Sequence, residues 1–173
     1  MTEKLEKSVK NTLDLAQWLN PERFAEVNKW IEKYPEEERQ SAVMRTLMLA
    51  QEEHGYLSVP LMDAIANYLQ MPNIAVYEVA KFYSMYILEP CGKHVIDVCQ
   101  SFACQLRGSD EIIACLSKKL NISVGETTAD KQFTLRKVEC LGACVGAPVA
   151  RIGKEYHEGL TKENLDDLLT KCV

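Results

Sequence analysis

Apolar positions in the first half of the chain recur at helical spacing. Val43, Leu47 and Ala50 share one face, and Leu61, Ile65 and Leu69 form an i, i+4, i+8 stripe. Val76, Val79, Phe82 and Tyr83 enrich a further segment. The breaks between these groups carry start and stop signals. Asn20-Pro21 is an N-cap followed by proline at the first helical position, and predicts a helix from Pro21 to Tyr34. Pro35 followed by Glu36, Glu37 and Glu38 predicts the next start, because a helix N-terminus favours negative charge. That helix would run to Gly55, a natural C-terminal stop. Ser58 caps a third, and Pro72 opens a fourth from Asn73 to about Tyr86. Short helices on tight connections predict an N-terminal helical bundle over residues 1–88.

At Glu89-Pro90-Cys91-Gly92 the pattern changes. Lys93–Val98 alternates into a strand that ends at Cys99. Arg107–Leu120 is helical, with Ile112, Ile113, Leu116 and Leu120 on one side. Phe133–Val138 alternates again and ends just before Cys140. Val149–Ile152, Gly153-Lys154 and Glu155–His157 predict a hairpin, and Leu160–Cys172 a last amphipathic helix. The expected fold class is therefore α+β, a helical bundle followed by an α/β domain with a small sheet over residues 89–173.

Composition narrows the function. The net charge of −5 argues against broad attraction to nucleic acid or an anionic membrane. It is unevenly spread: residues 1–90 hold 9 Lys/Arg against 14 Asp/Glu, whereas the remainder balances. No run of apolar residues is long enough to span a bilayer, and the first residues lack the apolar core of a secretory signal. The expectation is a cytosolic protein without direct membrane insertion. Stable disulfides are rare in that compartment, and the 7 cysteines are odd in number.

The chemistry concentrates in two cysteine pairs. Cys99 and Cys104 are spaced C-x4-C, and Cys140 and Cys144 are spaced C-x3-C. Each pair lies at a strand end, so neighbouring strands would bring all of them to one edge of the sheet. Thioredoxin-type dithiol chemistry wants C-x-x-C, which neither pair supplies. Zinc accepts both spacings, but one small ion draws its sulfurs tightly together. A [2Fe–2S] cluster is larger, holds a pair on each iron and suits the longer gaps. Spacing favours the cluster and leaves zinc open. Gly142 and Gly146 would let backbone bend around sulfur and aim N–H groups at it, whichever metal is bound.

Further motifs carry a resemblance. They are AQEEHGYLS at Ala50–Ser58, YEVAKFYSMY at Tyr77–Tyr86, LRG at Leu106–Gly108, GETTAD at Gly125–Asp130, FTL at Phe133–Leu135 and VECLGACVGAP at Val138–Pro148. With these, the second half resembles the thioredoxin-like [2Fe–2S] ferredoxin family. Roughly residues 15–170 resemble the 24-kilodalton subunit family of NADH:quinone oxidoreductase, respiratory complex I, in its bacterial form. The resemblance implies a thioredoxin-like second domain and one [2Fe–2S] cluster on Cys99, Cys104, Cys140 and Cys144. It implies one-electron transfer beside an FMN- and NADH-binding subunit and a large iron–sulfur subunit, at the cytoplasmic face of the membrane. The chain would not be catalytic alone, with FMN and NADH on the partner, and would tend to self-associate as a homodimer without it. Similar small subunits serve NAD-linked formate dehydrogenases and NAD-reducing hydrogenases. A zinc-stabilised adaptor and a thiol oxidoreductase are the readings of other classes. Two positions depart from the pattern: Gly146 stands where Asn is expected, and Cys91 where an apolar residue is.

Other residues read as structure. Cys115 lies among apolar helix positions and is expected to pack like a small hydrophobe. Cys172 reads as a bystander, and Cys91 has no assigned role. His54, His94 and His157 show no grouping with cysteine of the kind a Rieske centre needs. Phe82, Tyr83 and Tyr86 read either as an interface stripe or, for most of the run, as helical core. No glycine-rich phosphate loop and no nucleophile or acid–base constellation is present.

Overall fold

The structure, a computed structural model, describes residues 13–170. The chain divides into two compact units, one through Pro90 and one from Cys91.

The first unit is helical. Helix α1 spans Pro21–Ile31, and the Asn20 side chain accepts the Arg23 N–H at 2.9 Å. It ends before Tyr34, because Lys33 and Tyr34 donate to Trp30 and Ile31 in tighter i→i−3 bonds. The single helix expected from Pro35 to Gly55 is divided. Residues Glu36–Ala42 form a 3₁₀ segment in which Glu38 leaves helical space (φ −109°, ψ 17°). The Glu38 N–H reaches back to the Pro35 carbonyl in a tighter i→i−3 bond. Helix α2 is Val43–His54, ended by Gly55 at φ 80°. Helix α3 is Val59–Leu69, where Ser58 Oγ accepts the Leu61 N–H at 3.4 Å. Helix α4 is Asn73–Phe82, shorter than expected because Tyr83 turns extended (φ −89°, ψ 114°).

Leu47, Leu61, Ile65, Leu69 and Val76 meet in one core, which confirms the apolar stripes. Gln51 secures the chain beyond α4: its Nε2 donates to the Met85 carbonyl and its Oε1 accepts the Ile87 N–H. The aromatic run divides. Tyr86 is buried and donates to the Met44 carbonyl at 2.7 Å, whereas Phe82 is 80% exposed and is not core. Ending α4 at Phe82 leaves that ring on its last turn, past the packed stripe.

The second unit is a mixed sheet of order β2-β1-β3-β4. Strand β1 is His94–Cys99, β2 is Phe133–Val138, β3 is Ala150–Ile152 and β4 is Glu155–His157. β1 runs parallel to β2 and antiparallel to β3, and β3 with β4 forms the expected hairpin. The helix expected over Arg107–Leu120 starts two residues later, after Gly108, whose φ of 92° is left-handed, and a short helix not expected from the sequence precedes it. The result is α5, Phe102–Leu106, and α6, Ser109–Leu120. The last helix, α7, starts later than expected and spans Leu165–Thr170 among the described residues, with Leu160 packing from the chain before it. Cys172 lies outside the described residues.

Ile96, Val98 and Leu135 pack with Ile112 and Leu116 of α6 and Leu165 of α7. Cys115 joins that core half-buried, as a small hydrophobe would. Residues one position out of phase in β1 point to the other face of the sheet. Among them is Asp97, which is 4% exposed. Its Oδ1 lies 3.0 Å from Arg136 Nε on β2, and its Oδ2 lies 2.7 Å from Arg151 Nη2 on β3. The alternation of KHVIDV reveals the strand, but it holds no sign of this pairing. The aligned fourth residues of HVIDVC and FTLRKV are its only trace in the sequence.

Candidate metal centre

Parallel pairing of β1 with β2 places Cys99 opposite Val138, so both strands finish at the same end of the sheet. The Cys99 N–H donates to the Val149 carbonyl at 3.0 Å, and the Gln100 N–H donates to the Val138 carbonyl at 2.9 Å. Three chain segments are thereby fixed around one point: the end of β1, the Cys140–Cys144 loop and the approach to β3.

Cys104 lies inside the short helix α5, just ahead of α6. Cys99 and Cys104 are both buried and pack with Ala147 and Val149, while Leu141 and Ala143 cover them in part. Cys99 Sγ donates to the Glu139 carbonyl at 3.8 Å. Burial pushes the Cys104 thiol up, and a hydrogen bond with Cys99 and the nearby Cys99 and Cys144 sulfurs push it the same way.

Cys140 and Cys144 are exposed. The Gly142 N–H points at Cys140 Sγ, 3.4 Å away, and the φ of 73° that aims it is open to glycine at little cost. Cys144–Gly146 forms a 3₁₀ turn, followed by a cis Ala147–Pro148 peptide. Among the described residues, no three His, Cys, Asp or Glu side chains gather tightly enough to hold one metal ion. The cysteines stand instead as a buried pair and an exposed pair at one sheet end. Four soft sulfur donors, a backbone N–H directed at one of them and an apolar floor fit the donor set of a [2Fe–2S] cluster.

The other candidates stay apart. His54 Nε2 lies 2.6 Å from the Trp18 carbonyl and serves the helical unit. The His94 ring packs against Phe133, and burial, then Lys93, holds its pKa down. His157 pairs with Ala150 in the hairpin. Cys91 is half-buried, and burial pushes its thiol up while Arg136 opposes the shift. No helix among the described residues is long and apolar enough to cross a membrane.

The thioredoxin-like [2Fe–2S] ferredoxin family model matches residues 27–173. The E subunit of the NADH-quinone oxidoreductase of Rickettsia felis is 48% identical over 140 residues, covering 80% of this chain and 84% of that protein. Its counterpart in Rickettsia prowazekii is 47% identical over 144 residues, 83% of this chain and 81% of that protein. The E 2 subunit of the Rhizobium meliloti NADH-quinone oxidoreductase is 44% identical over 137 residues, 79% of this chain and 80% of that protein. Among solved structures, the air-oxidized NAD+-reducing [NiFe]-hydrogenase superposes with a TM-score of 0.63 at 20% identity over 73% of this chain, which is a likeness of fold. The match spans 22% of the hydrogenase chain.

Proposed function

The chain belongs to the thioredoxin-like [2Fe–2S] ferredoxin family, and from that premise we propose that it is the one-electron-transfer subunit of an NADH:quinone oxidoreductase. Cys99, Cys104, Cys140 and Cys144 would hold its cluster. The observation that carries this reading is the arrival of both cysteine pairs at one end of the sheet through the β1–β2 register. The bound cluster supplies one-electron redox chemistry with little rearrangement. The chain's own part is to hold the sulfurs. Buried Cys99 and Cys104 fix one side on an apolar floor. Cys140 and Cys144 present the other side, with Gly142 donating to sulfur.

The two units take different roles in this reading. Residues 89–173 form the ferredoxin domain, and residues 1–88 a helical bundle that grips a flavin subunit. Hydride chemistry belongs to that FMN- and NADH-binding partner, with a large iron–sulfur subunit beside it. The curated relatives are themselves subunits of NADH-quinone oxidoreductase. The assembly would place the chain at the inner face of the membrane, and without its partners it would pair with itself. Phe82, 80% exposed at the end of α4, suits a contact with the flavin subunit.

Anaerobic purification followed by iron, zinc and sulfide assay tests the cluster. Two irons and two sulfides per chain, absorption that bleaches with dithionite and a one-electron paramagnetic signal are expected. One zinc, no sulfide and a colourless protein would replace the electron carrier with an adaptor. Phe82→Glu should weaken co-purification with the flavin subunit; undiminished recovery removes that contact.

A further inference from the structure

We propose that the buried Asp97–Arg136–Arg151 network sets the redox potential of the cluster, an inference that rests on the reading of the four cysteines as its ligands. The network is built by register. Asp97 on the central strand pairs with Arg136 on one side and Arg151 on the other. Each guanidinium meets its own carboxylate oxygen, at 3.0 and 2.7 Å. One negative charge between two positive ones gives the network a net positive charge on this face of the sheet.

Its position makes that charge matter. Asp97 precedes Cys99 by two residues, so both point to the same face of β1. Two residues of extended strand separate them by about 7 Å. Arg136 stands in the same relation to Val138, the residue paired with Cys99. The network therefore lies one strand step from the sulfurs. Asp97 is 4% exposed, and the Arg136 and Arg151 side chains are only 19% and 29% exposed. Water and salt screen such charges weakly.

A buried ion network is a poor source of net stability, since desolvation offsets much of the attraction. An unbalanced one beside a redox centre has a direct effect. The oxidised cluster with four thiolate ligands is already negative, and reduction by one electron makes it more so. Nearby positive charge favours the reduced form and raises the potential. Arg136 and Arg151 act through space and touch no reacting atom. They are positioning residues for the field, and Asp97 holds both in place.

The test is the midpoint potential of the cluster in the full chain, followed by paramagnetic resonance during stepwise reduction with dithionite. Arg151→Gln removes the net positive charge and is expected to lower the potential. Arg151→Lys keeps it and should stay at the wild-type value. Asp97→Asn adds a net positive charge and should raise it. The double variant D97N/R151Q returns the charge to its original balance and should return the potential with it. Melting temperatures of the same chains provide the structural control. Potentials that follow the melting temperatures, or that do not move with charge, overturn the proposal. If Asp97→Asn fails to fold, the Gln and Lys variants at 151 still decide it, because they differ by one charge at a partly exposed side chain. A wild-type chain with no iron and no sulfide would instead overturn the ligand reading beneath it.

Discussion

The side chain of Glu158 occupies the space that any β-carbon on Gly146 would need. A β-carbon built there would lie 2.0 Å from Glu158 Oε2 and 2.5 Å from Glu158 Cβ. The Gly159 N–H donates to the Gly146 carbonyl at 2.6 Å, so the two segments cannot easily part. This gives a steric account of glycine at a position where the family resemblance leads one to expect Asn. Gly146→Ala is expected to cost about 1–3 kcal/mol through overpacking. Glu158→Gly should recover most of that loss. A double-mutant cycle by denaturant unfolding measures the coupling, and simple additivity would show that the two residues are independent.

The four proposed ligand positions should separate cleanly from the remaining cysteines. Cys104→Ser is expected to lower iron and sulfide per chain sharply, because it removes a buried donor that the apolar floor cannot replace. Cys115→Ser should leave both contents unchanged, since that side chain packs in the core behind the sheet. Equal losses in the two variants would point to general destabilisation rather than ligation.

Tyr86 gives the helical unit an alkaline limit. Burial, with Tyr83 nearby, pushes its phenol from the ordinary 10.0 up to about 12. Between those values the folded chain keeps a proton that the unfolded chain has lost. The resulting contribution is fully present below the ordinary value and disappears as pH rises through the folded one. Unfolding followed from about pH 9 to about pH 12 should show this decline, and Tyr86→Phe should remove that component. The same substitution deletes the hydrogen bond to Met44 and should cost about 1 kcal/mol at neutral pH.

Asn20→Ala should destabilise the helical unit by about 1 kcal/mol, because the Asn20 side chain satisfies an otherwise orphaned N–H of α1. Asn20→Gly should cost only a few tenths of that scale. Thermal unfolding of both variants distinguishes a capping contribution from a change in packing.

Periodicity and punctuation make most of this architecture legible. Asn20 and Ser58 cap the helices that follow them, as their sequence context predicts, and the strand ending at Cys99 meets the strand leading to Cys140. The failures occur where local chemistry competes with a helical pattern. Glu36–Glu38 look like an α-helical first turn, yet the segment after Pro35 closes as a 3₁₀ stretch with Glu38 outside helical space. The short helix around Cys104 carries no periodic stripe long enough to read, and the left-handed φ of Gly108 separates it from the helix that follows. Phe82 fits the apolar stripe but lies where α4 ends. The candidate ligands can be read from spacing because cysteine is chemically distinctive. Neither the Asp97 network nor the Glu158 contact can be, since each depends on which residues the sheet and hairpin bring opposite one another.

The parallel pairing of β1 with β2 also dictates an order of events. A parallel partner cannot be reached by a tight turn; the chain must first complete the crossover through α6. Until that long-range closure occurs, Cys99 and Cys140 belong to separate, mobile stretches of polypeptide. Each pair is local in sequence, but the full set of sulfurs exists only after the sheet has formed. A cluster bound across the two proposed cysteine pairs would therefore favour the folded chain over the unfolded one and tie the closure of the sheet to the centre.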